Sequence, residues 1–161
     1  MEGVQMKKIC ICASTLVFHR HELLFIWHEK LKVWMYPGGH VEQNESPDVA
    51  ARRETLEETG IEVELYEPGF GSRKTIRGKE AVELQRPFKI IYENVHYPTE
   101  DHEHFDMVYI AFPSKGDISG IGSGETKKFR WIGKGEIQKL NTFDNVKAAA
   151  FDAFEAVEDV D

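Results

Sequence analysis

At 161 residues, 41% apolar and 30% charged, the chain has the size and composition of one soluble globular domain with an adequate core. A net charge of −8 and a pI near 5.4 disfavour nonspecific binding to nucleic acid or to an anionic membrane surface. No apolar run approaches a membrane span, and Met1-Glu2-Gly3-Val4-Gln5 has no basic region before a long apolar core, so neither insertion nor a signal peptide is expected.

Lys8 to Phe18 is apolar on both faces, through Ile9, Cys10, Ile11, Cys12 and Ala13, as in a central strand covered on both sides. Cys10 and Cys12 are the only cysteines and share a face. A C-x-C pair alone is a poor zinc site, so they read as small buried residues in a reducing cytoplasm. His19-Arg20-His21-Glu22 is a polar turn, and Leu23 to His28 a second strand completing a hairpin. Glu29 to Lys32 turns again. Val33 to Tyr36 is a short strand entering the loop Tyr36-Pro37-Gly38-Gly39-His40, where two glycines permit a sharp turn and close approach to a ligand.

A helix follows. Ser46 is its N-cap, Pro47 its first position, Asp48 an acid opposing the dipole, and Gly60 its stop. Val49 and Leu56, seven apart, mark the face expected on the core. Glu62 to Tyr66 alternates as a strand, and Glu67 to Lys79, rich in Gly, Lys and Arg, is a loop. Phe88 to Glu93 and Met107 to Phe112 are strands separated by the polar stretch Pro98 to His104. Ser114 to Thr126 carries four glycines and reads as a flexible loop, followed by a short strand, Lys128 to Ile132. Thr142 to Val157 is an amphipathic helix through Phe143, Val146, Ala150, Phe154 and Val157, and the acidic tail Glu158 to Asp161 is expected to fray. With no internal repeat and no linker, residues 1–161 read as a single domain with a mixed β-sheet between helices.

Residues Gly39 to Ile61, GHVEQNESPDVAARRETLEETGI, have the form G-x5-E-x7-R-E-x-x-E-E-x-G-[aliphatic]. On a helix, positions i, i+3 and i+4 share a face, so Glu54, Glu57 and Glu58 project together. Such carboxylates repel one another unless a cation neutralises them, and an all-oxygen donor set favours Mg²⁺ or Mn²⁺. Arg53 is placed to pair with a carboxylate and fix its rotamer. The plainer reading, a solvated helix laced with Glu/Arg pairs, explains neither the double glycine nor the clustering.

This window resembles the Nudix box, and Trp34-Met35-Tyr36-Pro37-Gly38-Gly39 resembles the strand and loop that precede it in that family. Thr55 departs from the pattern, standing where a bulky aliphatic residue is expected. The resemblance implies an α/β/α sandwich that hydrolyses a nucleoside diphosphate linked to another group, with Mg²⁺ or Mn²⁺. Carried over by position, Glu54 and Glu58 are the leading metal ligands and Glu57 is a ligand or the base. The Gly38 carbonyl is a further ligand, Arg53 orients the carboxylates, and Glu45 supports the loop or helix start. Some relatives place a late acid just before the Trp of the last strand, where this chain has Arg130. Glu125 is the substitute, with Glu100, Asp101, Glu103 and Asp106 as rivals, each otherwise a solvated loop acid.

His102-Glu103-His104 reads as a polar loop. With no third His or Cys at metal spacing, zinc is not expected there. His40 reads as a hydrogen-bonding residue of the box loop. Trp34, Tyr36, Phe70 and Tyr109 could stack on a base, but the core is their commoner place. Arg73, Lys74 and Arg77 could meet phosphates or merely solvate a loop. The marks that the family carries for ADP-ribose, NADH and coenzyme A substrates are absent. Elimination leaves a small-molecule nucleotide, by default a nucleoside triphosphate including damaged ones. Dinucleoside polyphosphates or nucleotide sugars are alternatives, and so is a nucleotide-binding or sensor domain without turnover. An isomerase of the isopentenyl diphosphate type would need a pocket cysteine, and Cys10 and Cys12 lie in an apolar strand.

Overall fold

The computed structural model describes residues 7–69, 76–96, 99–158 and 160. Phe70, Arg73, Lys74 and part of the loop expected over 67–79 lie outside them. Two long strands set the frame. β1 (Lys8–His19) runs parallel to β7 (Asp101–Pro113), in register from Lys8 opposite His102 to Val17 opposite Ala111. β1 also closes a hairpin with β2 (Glu22–His28) and pairs through Cys12, Ala13 and Ser14 with β4 (Gly38–His40). β2 carries β3 (Val33–Met35) and β8 (Phe129–Gly133). The far edge of β7 pairs with β6 (Lys89–His96) along its first half and with β5 (Val63–Tyr66) along its second, giving a mixed sheet.

Strand alternation assigns the two faces. Leu16 and Phe18 of β1 and Val108 and Ile110 of β7 share a core with Val146, Ala149, Ala150, Ala153, Phe154 and Val157 of α2 (Asp144–Val157). Ala13 of β1 and Tyr109 of β7, one step out of phase, pack with Ala50 and Ala51 of α1 (Pro47–Thr59). The result is the expected α/β/α sandwich.

The helix α1 meets the sheet differently from expectation. Val49 and Leu56 are 48% and 43% exposed, whereas Ala50, Ala51, Thr55 and Thr59 are buried. Small side chains let α1 lie close to β1, so bulk is a poor guide to its inner face. Thr55 is part of that contact. Its Oγ1 donates to the Ala51 carbonyl at 2.7 Å and lies 2.6 Å from Thr15 Oγ1. Since the single Thr55 proton goes to Ala51, Thr15 donates to Thr55. Thr55→Val is therefore expected to destabilise the fold by about 1–2 kcal/mol, leaving the buried Thr15 hydroxyl without this acceptor. Adding Thr15→Val should recover most of the loss in urea unfolding, and equal stability of wild type and Thr55→Val would contradict the pairing.

Other boundaries also moved. Gly38–His40 is a strand, not a loop, because its backbone pairs with β1. β7 begins at Asp101, so His102 and His104 are buried strand residues rather than members of a polar loop, with polar side chains filling the inward positions. Ser46 has the extended backbone of an N-cap, but its Oγ donates to Asp48 Oδ1 at 2.6 Å instead of capping through the side chain. Gly60 ends α1 in the left-handed region with φ of 82°. The stretch expected to be a flexible loop over 114–126 docks on that helix end. Gly122, Glu125 and Thr126 donate backbone N–H bonds to the carbonyls of Thr59, Glu57 and Glu58 at 3.0, 2.8 and 2.9 Å. These are carbonyls that a helix C-terminus leaves unpaired.

Candidate functional site

The last turns of α1 face β4, and Arg53 ties the two together. Its Nε and Nη2 donate to the two oxygens of Glu45 at 2.7 and 3.0 Å. Nη1 donates to Glu54 at 2.9 Å and to Glu57 at 3.0 Å, while Nη2 also reaches the His40 carbonyl at 3.0 Å. A planar fork suits this multiple pairing. Glu45 thus faces Arg53, and its Oε2 accepts the Glu42 N–H at 2.9 Å, the loop-supporting place expected for it. Glu58 points at the glycine strand, accepting the Gly38 N–H at 2.9 Å.

Close approach requires glycine at position 38, where a Cβ would also meet the Ala13 carbonyl at 2.8 Å, and glycine at 39 leaves room for the Glu54 carboxylate. A Cβ on Gly39 would sit 2.5 Å from Glu54 Cδ, and one on Gly38 would sit 2.2 Å from Ser14 Oγ. A similar constraint brings Glu125 in. A Cβ on Gly124 would lie 2.6 Å from the Glu57 and Glu58 carbonyls, so only glycine lets this segment lie on the helix end.

The electrostatics record crowded negative charge. Burial pushes the Glu58 carboxyl up to about 8; the Gly38 N–H opposes this, and the charges of Glu54, Glu125 and Glu57 add to it. Burial also raises Glu54, with Arg53 opposing and Glu57 and Glu125 adding. A cluster of oxygen donors whose proton affinity is raised by its own crowding and burial fits a hard divalent cation, which would take the place of the proton.

Beside the cluster opens a cavity of about 910 Å³. Glu54, Glu58, Gly38 and Gly39 lie on its wall, as do Tyr36, Asp106, Glu93 and Asn145. Asp106 accepts a bond from Ser14 Oγ at 2.8 Å, and burial pushes its carboxyl up to about 7. Among the described residues, the buried Tyr36 hydroxyl has no hydrogen-bond partner.

A model of the NUDIX domain matches residues 9–154. The chain belongs to the NUDIX family. Among curated relatives it is 40% identical over 62 residues to an 8-oxo-dGTP diphosphatase of Proteus vulgaris, covering 35% of this chain and 54% of that protein. It is 30% identical over 115 residues to an asymmetrical bis(5'-nucleosyl)-tetraphosphatase of Sus scrofa, covering 71% and 65%. The matches span from about half to 65% of these curated relatives. A Nudix-family hydrolase of Clostridium perfringens superposes with a TM-score of 0.74 at 29% identity, covering 91% of this chain and 97% of that one.

In this Nudix chain the rivals for a late acid fall apart. The Glu125 backbone N–H bonds the Glu57 carbonyl at 2.8 Å, so Glu125 lies at the end of α1 that carries the cluster. Asp106 lines the cavity, whereas Glu100 contacts His102 and Asp101 contacts His96, both at 2.8 Å. Glu103 lies 3.9 Å from Lys7. Arg130, at the position where some relatives carry an acid, sits over the Trp34 ring. Of the aromatic residues, Trp34 and Tyr109 belong to the core, and Tyr36 belongs to both core and cavity. Arg77 is exposed and bridges Val82. Glu93 and Asn145, which bond at 3.0 Å on the cavity wall, are site residues without a motif in the sequence. For Glu93 the signal was the alternation of β6, and Asn145 lies in the first turn of α2 with no local signal of its own.

Among the described residues, no helix is long and apolar enough to cross a membrane.

Proposed function

We propose that the chain is a pyrophosphohydrolase of nucleoside diphosphate derivatives, with nucleoside triphosphates, damaged ones included, as the first substrate class. The observation that carries this reading is the gathering of Glu54, Glu57, Glu58 and Glu125 about the end of α1, with Glu54, Glu58, Gly38 and Gly39 on the wall of a nucleotide-sized cavity. Glu54, Glu58, Glu125 and the Gly38 carbonyl would hold Mg²⁺ or Mn²⁺, with Glu57 as a further ligand or as base. When bound, such a cation neutralises the pyrophosphate and makes the attacked phosphorus more electrophilic.

The chain's own groups supply the rest. A carboxylate, in our reading Glu57 Oε1 or Oε2, takes a proton from the attacking water. The water oxygen forms a bond to phosphorus while the bridging P–O bond breaks, and the released phosphate or pyrophosphate carries away that electron pair. Arg53 holds Glu54 and Glu57 in place, so little reorganisation is needed during attack. The cavity wall of Tyr36, Asp106, Glu93 and Asn145 offers donors and acceptors for the nucleoside. The length of the match to the tetraphosphatase supports dinucleoside polyphosphates as a second class.

The test is a product assay with Mg²⁺ over nucleoside triphosphates, an oxidised deoxynucleotide, dinucleoside tetraphosphates and nucleotide sugars. Nucleoside monophosphate plus pyrophosphate from a triphosphate is the expected result. Binding across the panel without any product would overturn hydrolysis in favour of a sensor.

A further inference from the structure

The fold gathers a second, chemically different set of donors. Cys10 on β1, His40 on β4, and His102 and His104 on β7 each present one ligand atom, all within 4.8 Å of one another. Strand register explains the meeting. Cys10 lies opposite His104 in the parallel pairing, and His40 lies opposite Cys12, the next residue on the same face of β1. Cys10, His102 and His104 are buried, while His40 stands at the rim with its ring centroid 5.4 Å from that of His104.

The spacing suits a cation. Cys10 Sγ is 3.8 Å from His102 Nδ1. In a tetrahedral zinc centre, the usual Zn–S and Zn–N lengths give an S···N edge of about 3.6 Å. With all four atoms within 4.8 Å of one another, closing to such a centre needs contractions of roughly 1 Å at most pairs. A second observation points the same way. Glu100 Oε1 lies 2.8 Å from His102 Nε2, on the side of the ring away from Cys10. A carboxylate beside the remote nitrogen is the kind of neighbour that metal-ligating histidines carry, and it leaves Nδ1 on the side of the sulfur.

We propose that Cys10, His40, His102 and His104 form a second metal site, selective for a zinc-class ion and distinct from the carboxylate cluster. Sulfur and imidazole select borderline d-block cations, whereas the all-oxygen cluster selects hard ones. On binding, Cys10 releases its thiol proton to solvent and Sγ ligates as thiolate, while the imidazoles ligate in neutral form. The ion would fasten β4 to β1 and β7 immediately after Gly39, at the residue whose carbonyl Arg53 engages. This proposal goes beyond the hydrolase reading and stands whether or not that reading holds.

The experiment uses the full chain, reduced, stripped with chelator, loaded with Zn²⁺ and freed of excess by gel filtration. Wild type and Glu58→Gln should each retain one zinc, and Cys10→Ser and His104→Ala should lose it. Co²⁺ as the probe should give a thiolate charge-transfer band in wild type that Cys10→Ser lacks. His40→Ala, at the exposed rim and free of core packing, should weaken Zn²⁺ affinity by at least about tenfold with an unchanged circular dichroism spectrum. The proposal is overturned if folded wild type retains no zinc, or if Cys10→Ser and His40→Ala bind it as wild type does. Loss of zinc in Glu58→Gln with retention in Cys10→Ser would equally overturn it, by assigning the ion to the carboxylates.

Discussion

Replacing Glu58 by Gln should lower turnover by at least about two orders of magnitude while leaving the fold intact. The substitution keeps the shape of a side chain held against the Gly38 N–H and removes the charge that a divalent cation would need. Folding should survive because the carboxylate is already strained by burial and by its acidic neighbours, so its loss relieves the cation-free protein. Glu57→Gln should show a comparable loss in kcat. Glu125→Gln should lower kcat with melting nearly unchanged, since its backbone N–H, not its carboxylate, docks the loop on α1. Glu100→Gln and Glu103→Gln serve as controls. Near wild-type rates in both Glu57→Gln and Glu58→Gln would refute the site. An unaffected Glu125→Gln beside a large loss at Glu100 or Glu103 would move the late acid to the start of β7.

Arg53→Lys should cost roughly ten- to a hundredfold in kcat and weaken Mg²⁺ binding by a similar factor. A lysine ammonium keeps the charge but loses the planar fork that serves Glu45, Glu54, Glu57 and the His40 carbonyl together. Glu54 would then lose the bond that fixes its carboxylate beside Gly39, and the cluster would no longer be held ready. Stability should fall by about 1–3 kcal/mol, as expected for a partly buried, charge-assisted network deprived of one member. Steady-state rates at saturating Mg²⁺ together with Mg²⁺ titration check this. If both are unchanged, Arg53 does not position the carboxylates.

Much of this site was legible because it is local. Arg53, Glu54, Glu57 and Glu58 fall within two turns of one helix, where spacing alone dictates that they converge, and the double glycine implied close approach. The inner face of α1 was not legible. Its contact is made by Ala50, Ala51 and the Thr55–Thr15 hydroxyl pair, and a search for bulky apolar residues finds Val49 and Leu56 on the wrong side. The sulfur and imidazole cluster was hidden for another reason. Cys10 and His102 are 92 positions apart and meet only because β1 and β7 pair in parallel, a long-range register that no local pattern encodes. The same inward histidines disguised the first half of β7 as a polar loop. Glycines near Glu125 signalled movement in the sequence, but Gly124 serves close packing against α1.

Thermal melting with EDTA or with Mg²⁺ tests most directly whether the α1 carboxylates are built to be neutralised by a cation. Burial lifts Glu58 from an ordinary value of 4.5 to about 8, so between those values the folded chain holds a proton that the unfolded chain has released. Stability of the cation-free protein therefore falls through this window as pH rises, and Glu54 contributes in the same direction. His40 and His104, lowered chiefly by burial, contribute the opposite slope near their ordinary value, so the comparison is wild type against Glu58→Gln at each pH. At about pH 8 and roughly a hundred times its Kd, Mg²⁺ should stabilise wild type by about 2.7 kcal/mol. That corresponds to a rise in Tm of about 5–10 °C, and Glu58→Gln should blunt it. Coincident melting of wild type with EDTA and with Mg²⁺ would contradict neutralisation by a cation.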